Sequence, residues 1–263
     1  MARIEYFGEF GYELISVIPY AYWLYTEGKL RSTKSVKDTK CLYYFSPRHK
    51  ERDRARSFIE LELFPASNIH VANLDTLKWT PPPYKKVYKN DRFVWSLPTC
   101  VICNKFTLEF DHSQPTNYIS LDALQKIIAL LISRYQIIYN RPLQYDIVPD
   151  HVPVQATEFA DHELIREKYP NVISIQQLSQ VNKDLSFNTL QVMVYANCNN
   201  FISVQGGNAV LASYFGGKNI IYATIGQELR VNSYNNWYSK FSGCKVIHVN
   251  TYEGLINKVE EEF

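Results

Sequence analysis

The chain has 263 residues, of which 46% are hydrophobic and 21% are charged, and this composition is typical of a folded globular protein and argues against a disordered one. Its formal net charge of +2 gives no reason to expect a nucleic-acid partner or a strongly basic membrane patch. The apolar runs are much shorter than the roughly 20 residues that cross a bilayer, and the N-terminus lacks a signal-peptide pattern, so the sequence predicts a cytoplasmic protein without a membrane span.

Strand and helix signals alternate through the first half of the chain, which is the pattern of layered α/β proteins. Hydrophobic periodicity predicts strands over residues 4–7, 41–45, 69–71 and 93–97, and helices over residues 13–27 and 54–63. Pro19 lies inside the first helix and should kink it or delay its start. The basic run over residues 48–56 is interpreted as a solvated face, which could alternatively meet an anionic acceptor. Three prolines in the segment 78–84 predict a surface connection.

Five cysteines are present, and Cys100 and Cys103 form a CxxC pair inside the strand-like segment VWSLPTCVICNKF. A zinc ribbon needs a second pair of ligands, but the other three cysteines stand alone in the sequence. The sequence therefore predicts reduced structural thiols and no metal site.

The second half of the chain alternates more regularly. Predicted strands cover residues 135–139, 172–175, 201–204, 219–223 and 245–249, and predicted helices cover residues 121–135, 158–168, 189–196, 209–215 and the C-terminus from 252. Strands that are joined by crossover helices of this length imply a parallel sheet. The sequence therefore predicts an α/β protein with two units, residues 1–120 and residues 121–263.

A glycine turn lies between a predicted strand and a predicted helix of the second half, and it reads Gln205, Gly206, Gly207, Asn208. Glycines at such a turn let the backbone approach a ligand closely, and the N–H groups at a helix start favour an anion such as a diphosphate. Open α/β sheets bind ligands at the carboxyl ends of their strands, where this turn belongs. The alternative is a tight turn without a ligand. The turn matches neither GxGxxG nor a P-loop, so neither a dinucleotide nor a Walker ATPase site is predicted.

Three further side chains follow predicted strands of the second half. Arg141 comes directly after the strand predicted over 135–139, and its planar guanidinium suits phosphate oxygens, although a salt bridge is the alternative. Gln177, near the end of the next strand, could meet a nucleotide base. Glu228, after the strand that ends at residue 223, could reach a ribose hydroxyl.

The segment FGEFGYEL, residues 7–14, places two glycines and two glutamates directly after the first predicted strand. Gly8 and Gly11 allow a tight turn at the carboxyl end of that strand. Glu13 is readily explained by the dipole of the following helix. Glu9 lies in the turn itself, where helix capping does not explain it, and a carboxylate in a cleft is a candidate general base. Glu9 is therefore the predicted catalytic base, with Glu13 as its competitor.

The two α/β units, the early segment FGEFGYEL and the late segment VQGGNAVLASYFG together resemble a GT-B glycosyltransferase, in the layout of its fucosyltransferase-like and heptosyltransferase-like members. This resemblance implies two Rossmann-like α/β/α domains that face a central cleft. In that family the C-terminal domain holds the nucleotide-sugar with its diphosphate on a helix N-terminus. The N-terminal domain binds the acceptor, often through the loop after its first strand, which is formed here by Gly8, Phe10, Gly11 and Tyr12.

The chain also departs from that family. It is short for a member, and it lacks the His-x-Arg-Arg motif of some fucosyltransferases, with Asn140 and Arg141 standing at the matching strand end. No Asp-x-Asp occurs anywhere in the sequence, which speaks against the metal-dependent GT-A class and fits metal-independent chemistry.

The expected activity is transfer of a sugar from a nucleoside diphosphate sugar to a carbohydrate acceptor, with no further cofactor. Glu9 would deprotonate the acceptor hydroxyl, and Arg141 with the turn 205–208 would stabilise the departing diphosphate. Inversion follows if a single base does this work. If neither glutamate is the base, His49 and His151 in predicted loops are the next candidates. Two alternatives are a GT-B-shaped polysaccharide pyruvyltransferase, whose members also begin with a glycine-rich loop, and a non-catalytic nucleotide- or glycan-binding module.

Overall fold

Two parallel sheets make up the frame of the protein. The computed structural model describes residues 1–57, 64–66, 71–108, 114–143, 145–148 and 159–263. Within these ranges one sheet has three strands in the order β1-β2-β3, and the other has six in the order β6-β5-β4-β7-β8-β9. Every strand pair in both sheets is parallel.

The three-stranded sheet is built from the start of the chain. Its elements and the helix that follows are β1 (Ala2–Glu5), α1 (Phe10–Tyr12), a π-helical turn (Glu13–Val17), α2 (Ile18–Thr26), β2 (Leu30–Val36), β3 (His49–Arg52) and α3 (Tyr84–Tyr88). The π-helical turn joins α1 to α2 without a break. Pro19 lies in the first turn of α2, directly after the π-helical turn. The helix accommodates the proline by widening ahead of it rather than by ending there.

The strand predicted over residues 41–45 is wrong. These residues form consecutive turns, although Leu42 and Tyr43 are buried. Two tyrosine hydroxyls replace the strand partner: Tyr84 donates to the carbonyl of Leu42 at 2.7 Å and Tyr88 donates to that of Cys41 at 2.5 Å. A buried apolar run can therefore be a loop when side chains satisfy its carbonyl groups.

Other predictions for the first half have mixed outcomes. The strand predicted over 93–97 is wrong, because the strand of this region lies later, at Thr99–Cys103. The prediction missed β2 and did not anticipate that the basic run contains β3, although most of that run is exposed as predicted. The proline segment forms no strand, as predicted, but it is not a surface connection throughout, because Trp79, Pro82 and Tyr84 are buried. The helix predicted over 54–63 and the strand predicted over 69–71 lie largely outside the described residues.

The six-stranded sheet alternates with helices. Its elements are β4 (Thr99–Cys103), α4 (Leu121–Leu131), β5 (Gln136–Asn140), α5 (Asp161–Lys168), β6 (Ile173–Ser174), α6 (Ile175–Val181), α7 (Phe187–Ala196), β7 (Asn200–Val204), α8 (Gly207–Ser213), β8 (Lys218–Tyr222), α9 (Gln227–Arg230), α10 (Ser233–Asn236), a 3₁₀ turn (Tyr238–Phe241), β9 (Lys245–Val249) and α11 (Tyr252–Glu262). The strands predicted here lie within one or two residues of the observed ones, because buried parallel strands are short continuous apolar runs.

The sheets divide the chain earlier than the predicted boundary between residues 120 and 121. Strand β4 pairs with both β5 and β7, so residues 99–103 lie at the centre of the six-stranded sheet. The pairing therefore assigns the segment that precedes α4 to the second unit.

One apolar core joins the two sheets. It contains Leu14 and Ile15 from the π-helical turn together with Tyr214 and Phe241 from the second unit. The indole of Trp79 donates a hydrogen bond to the carbonyl of Ile15 at 2.6 Å, and its ring lies 5.3 Å from that of Phe241. The two units therefore pack directly against each other.

Three further observations concern the cysteines, possible metal ligands and the lengths of the helices. All five cysteines are buried, free thiols. In the described part of the chain, no group of three or more His, Cys, Asp or Glu residues is arranged to hold a metal ion. Within the same ranges, no helix has the length and apolar character needed to span a bilayer.

Candidate functional site

The two glycine segments that the sequence singled out contact each other. The first follows β1 and the second follows β7, and both lie at the carboxyl ends of parallel strands. A Cβ atom placed on Gly207 would lie 2.7 Å from Cδ1 of Phe10, and one placed on Gly11 would lie 3.9 Å from the backbone of Gly207. The approach is tight only at Gly207, where glycine leaves room for the Phe10 ring. The contact places the predicted acceptor loop beside the predicted diphosphate turn.

The turn after β7 has a backbone conformation that favours glycine. Gly206 has φ +127° and ψ −170°, and helix α8 begins at the next residue. In the described part of the chain no side chain caps this helix start, and the N–H of Ala209 donates to the carbonyl of Gly206 at 3.0 Å. Gly206, Gly207 and Asn208 are partly exposed, but Phe10 covers Gly207. Gly206 is therefore the more open glycine of the turn.

A lysine that the sequence analysis missed lies against this turn. Lys105 comes two residues after β4, the strand between β5 and β7 in the sheet. Its Nζ donates to Oε1 of Gln205 at 3.0 Å, and it would lie 3.5 Å from a Cβ atom on Gly206. Lys105, like Arg141, lies just after a parallel strand, so the same strand-end argument applies to it. The sequence places the strand of this region at residues 93–97 and therefore does not predict Lys105 as a strand-end residue.

Gln205 is the centre of a hydrogen-bond network at the same edge of the sheet. Asn117 donates to its Oε1 at 3.2 Å and to the carbonyl of Ile225 at 3.0 Å. Nε2 of Gln205 donates to Oε2 of Glu228 at 3.4 Å. The glycine turn after β7 is thereby tied to the loop after β8. Gln205 is buried and supports the site instead of opening toward a ligand.

Two carboxylates approach this edge from opposite units. Glu9 precedes α1 and is half-buried, and Glu228 lies in the short helix α9. Burial raises the pKa of Tyr12 to about 12, and the charges of Glu9 and Glu228 add to this effect. The Tyr12 hydroxyl therefore stays protonated at neutral pH and can act as a hydrogen-bond donor.

Glu13 does not reach this cleft, so its prediction as a catalytic residue is corrected. The side chain is fully buried. Its Oε1 accepts hydrogen bonds from Ser35 at 2.5 Å and Tyr43 at 2.8 Å, and its Oε2 pairs with Nη1 of Arg56 at 2.8 Å. The same Arg56 nitrogen donates to the carbonyl of Gly8 at 2.7 Å. Glu13 and Arg56 thus hold the acceptor loop in place, and Arg56 is buried in spite of lying in the basic run.

Arg141 is also corrected, because its guanidinium is bound within the protein. Nε of Arg141 lies 2.5 Å from Oδ2 of Asp161, and Nη2 lies 2.6 Å from Oδ1. Both residues are buried. This paired arrangement is the salt bridge that the sequence left open as an alternative. The cation beside the glycine turn is Lys105 instead.

Three weaker candidates lie elsewhere or outside the description. Gln177 completes a capping box at the start of α6, since its Oε1 accepts from the backbone N–H of Ser174 at 2.7 Å. His49 lies within hydrogen-bond distance of Thr33 and Thr39 through its two ring nitrogens. Neither residue belongs to the cluster around Gly206. His151 lies outside the described residues.

Comparison with solved structures supports the fold that the sequence predicts. The chain is similar to the E. coli ADP-heptose LPS heptosyltransferase II, with a TM-score of 0.55 and 10% sequence identity over 99% of this chain and 96% of that chain. A variant of the wall teichoic acid polymerase TagF is similar over 99% of this chain and 79% of that chain, with a TM-score of 0.35 and 10% identity. No protein-family model matches the chain, and no curated protein matches it.

The similarity to the heptosyltransferase covers nearly the full length of both chains. At 10% identity it shows the fold alone. The predicted fold class is confirmed: the chain has an α/β fold of the GT-B type.

Proposed function

We propose that this protein is a glycosyltransferase that moves a sugar from a nucleoside diphosphate sugar to a carbohydrate acceptor. The observation that carries the proposal is the meeting of three features at one edge of the sheets. These are the uncapped glycine turn at Gly206, the ammonium group of Lys105 beside it, and the loop of the other unit that carries Glu9, whose Phe10 and Gly11 contact the turn. The fold of the GT-B type adds support.

Lys105 and the glycine turn would hold the donor diphosphate. The first N–H groups of α8 and the Lys105 ammonium supply positive charge from two directions, which is what a departing diphosphate requires. Glu228 accepts a hydrogen bond from Gln205, the residue before the glycine turn, and would meet a ribose hydroxyl of the donor. These residues would bind the donor mainly through the second unit.

Glu9 would act as the general base on the acceptor hydroxyl. It lies in the loop that Arg56 holds through the carbonyl of Gly8, and Phe10 and Gly11 of the same loop contact the glycine turn. Glu9 would take up the hydroxyl proton as the acceptor oxygen attacks the anomeric carbon. The new glycosidic bond forms while the bond to the diphosphate breaks, and Lys105 would stabilise the negative charge that stays on the leaving diphosphate. A single base of this kind implies inversion at the anomeric carbon.

Lys105→Met should weaken the binding of a nucleoside diphosphate by about 10- to 100-fold, because a charge-assisted hydrogen bond to phosphate is lost. The measurement is titration calorimetry with UDP, GDP, ADP, CDP and dTDP in turn. Lys126→Met on the exposed face of α4 is the matched control and should leave affinity unchanged. Unaltered affinity in a folded Lys105→Met protein would place the diphosphate elsewhere.

Titration with phosphoenolpyruvate and an assay of nucleoside diphosphate release separate the alternative activities. Tight binding of phosphoenolpyruvate without nucleotide binding would favour a pyruvyltransferase. Nucleotide binding without release of nucleoside diphosphate from any sugar donor, in the presence of mixed glycan acceptors, would favour a non-catalytic binding module.

Turnover should survive chelation by EDTA, because the proposed site stabilises the diphosphate with Lys105 and backbone N–H groups and the sequence has no Asp-x-Asp. Release of nucleoside diphosphate is followed with and without the chelator. Activity that disappears in EDTA and returns with manganese would contradict the metal-independent scheme.

A further inference from the structure

The three-stranded sheet carries a row of basic side chains that the proposed chemistry does not use. Residues 48–56 read RHKERDRAR, with a basic residue at every second position. Successive side chains of a strand point to opposite faces of the sheet, so this spacing places the basic residues of β3 on one face. Lys50 and Arg52 are the basic residues of β3 itself, and both are exposed.

The register of the sheet extends this face across all three strands. Lys34 of β2 stands opposite Lys50 of β3 and opposite Glu5 of β1, so these three side chains share a face. Arg3 lies two residues before Glu5, on the same face, and is exposed. We call Arg3, Lys34, Lys50 and Arg52 the cationic sheet face.

Three of these four cations have no partner in the described part of the chain. Lys34 pairs with Glu5 at 2.8 Å, whereas Arg3, Lys50 and Arg52 take part in no ion pair or side-chain hydrogen bond of the described residues. Lys34 and Lys50 stand directly opposite each other, and like charges in that position repel. An edge strand resists pairing with another chain when it carries charge of either sign, so edge protection alone does not explain why this face is positive.

Acidic side chains neutralise only part of this charge. Glu51 is held by the loop after β2, because its Oε1 accepts hydrogen bonds from the backbone N–H groups of Thr39 and Lys40 at 2.8 and 2.7 Å. Asp53 is exposed directly after β3. Residues 3, 34, 50, 52 and 54 carry five positive charges against the two negative charges of residues 5 and 53. Their net charge is +3 in a chain whose net charge is +2.

The cationic sheet face continues into the acceptor loop at the carboxyl ends of its strands. Phe7, the last residue before that loop, lies under two cations: Nζ of Lys34 is 5.3 Å from its ring centre, and the guanidinium carbon of Arg54 is 4.9 Å from it. Arg54 is exposed. Arg56, the next basic residue of the alternating run, holds the loop itself. The row of cations therefore leads from β3 to the loop that carries Glu9.

We propose that the cationic sheet face binds the acceptor glycan and that this glycan carries anionic groups, either carboxylates or phosphates. The inference rests on the proposed function, because the acceptor is the substrate that has to reach Glu9. Ammonium and guanidinium groups suit both kinds of oxyanion.

Other anionic partners fit this face less well. Of the exposed large hydrophobic residues in the described chain, none belongs to β1, β2 or β3. The face therefore lacks the exposed aromatic rings on which single-stranded nucleic acids stack their bases. It also lacks the aliphatic side chains that would enter the acyl boundary of a membrane.

The test is titration calorimetry of the full chain with three glycans of matched length: oligogalacturonate, which carries carboxylates, a phosphorylated dextran and a neutral dextran. We expect binding of a charged glycan but not of the neutral one, and weaker binding as salt is raised. Lys50→Met with Arg52→Met should weaken that binding by about ten-fold, because two exposed ion pairs are lost. The matched control, Lys126→Met with Lys183→Met, removes the same charge from exposed residues elsewhere and should change affinity by less than about two-fold.

Turnover gives a second readout. With the charged glycan as acceptor, Lys50→Met with Arg52→Met should raise KM for the acceptor and leave kcat and nucleotide affinity unchanged, because the contact is made equally in the ground state and the transition state. Several results would overturn the inference: no binding of either charged glycan, equal binding of the neutral one, or equal affinity in the variant and its control. Tighter binding of single-stranded DNA or of phosphatidylglycerol vesicles would do the same. Failure of the proposed activity is recognised separately, since no donor would then be turned over while glycan binding is still measured.

Discussion

Glu9→Gln is expected to lower kcat by about 100- to 10,000-fold and to leave the affinity for a nucleoside diphosphate unchanged. The amide keeps the size of the side chain but cannot accept the proton of the acceptor hydroxyl. The loop itself should stay in place, because Arg56 holds it through the carbonyl of Gly8 and not through Glu9. The measurement is the rate of nucleoside diphosphate release from the sugar donor that the titrations identify, together with the affinity for the free diphosphate.

Tyr12→Phe is the control for this prediction. The raised pKa of Tyr12 keeps its hydroxyl protonated, so it can donate a hydrogen bond but cannot serve as the base near neutral pH. Its loss should cost less than about ten-fold in kcat, in line with one neutral hydrogen bond. A folded Glu9→Gln protein with normal turnover would show that the proton is removed by another group. If Glu9→Gln has normal turnover and Tyr12→Phe lowers kcat strongly, the tyrosine hydroxyl contributes to the reaction and Glu9 does not.

Glu13→Gln is expected to lower the free energy of unfolding by about 3–5 kcal/mol, because it leaves the buried guanidinium of Arg56 without its counter-charge. The measurement is urea unfolding of the purified variant. Glu5→Gln is the matched control: Glu5 pairs with Lys34 at a similar 2.8 Å, but that pair is largely exposed and should contribute about 1 kcal/mol or less.

A double-mutant cycle with Arg56→Met sharpens this test. Each single substitution leaves one buried charge unpaired, whereas the double variant removes both, so its cost should be clearly smaller than the sum of the two single costs. Additive costs would show that the pair is not coupled. A mild Glu13→Gln phenotype with a strong loss of turnover would return Glu13 to the list of candidate bases.

Sequence periodicity is most reliable for short apolar runs, whether they are mostly buried, as in β7 and β8, or half-buried at the sheet edge, as in β9. The strands β7, β8 and β9 are short apolar runs bounded by glycine or polar residues, and they were predicted within one residue at each end. Strand β2 was missed because LRSTKSV alternates polar residues that resemble a loop. The aromatic segment 41–45 gave the opposite error, since its backbone is satisfied by tyrosines that lie 42 and 47 residues further along the chain.

Contacts between residues that are distant in sequence also explain which site residues could be predicted. The glycine segments can be read locally, because the backbone turn needs glycine at Gly206 itself. The state of a charged side chain depends on its partner, and those partners are distant in sequence: Asp161 lies 20 residues from Arg141, and Arg56 lies 43 residues from Glu13. A single sequence does not reveal such pairs, so it leaves the buried salt bridge of Arg141 as one of two alternatives and does not predict that of Glu13. Lys105 is missed because the predicted strand of this region, over residues 93–97, ends well before β4, so the sequence does not place Lys105 at a strand end.

The shared apolar core also determines how this protein can be divided. Leu14 of the π-helical turn accepts a hydrogen bond from the hydroxyl of Tyr214, and both residues are buried in that core. Cutting the chain between the sheets would expose this apolar surface on both fragments, so neither is expected to stay soluble by itself. Unfolding should accordingly follow a single cooperative transition. Chimeras that exchange one sheet for that of another protein with the GT-B fold would need a repacked interface before their ligand binding could be compared.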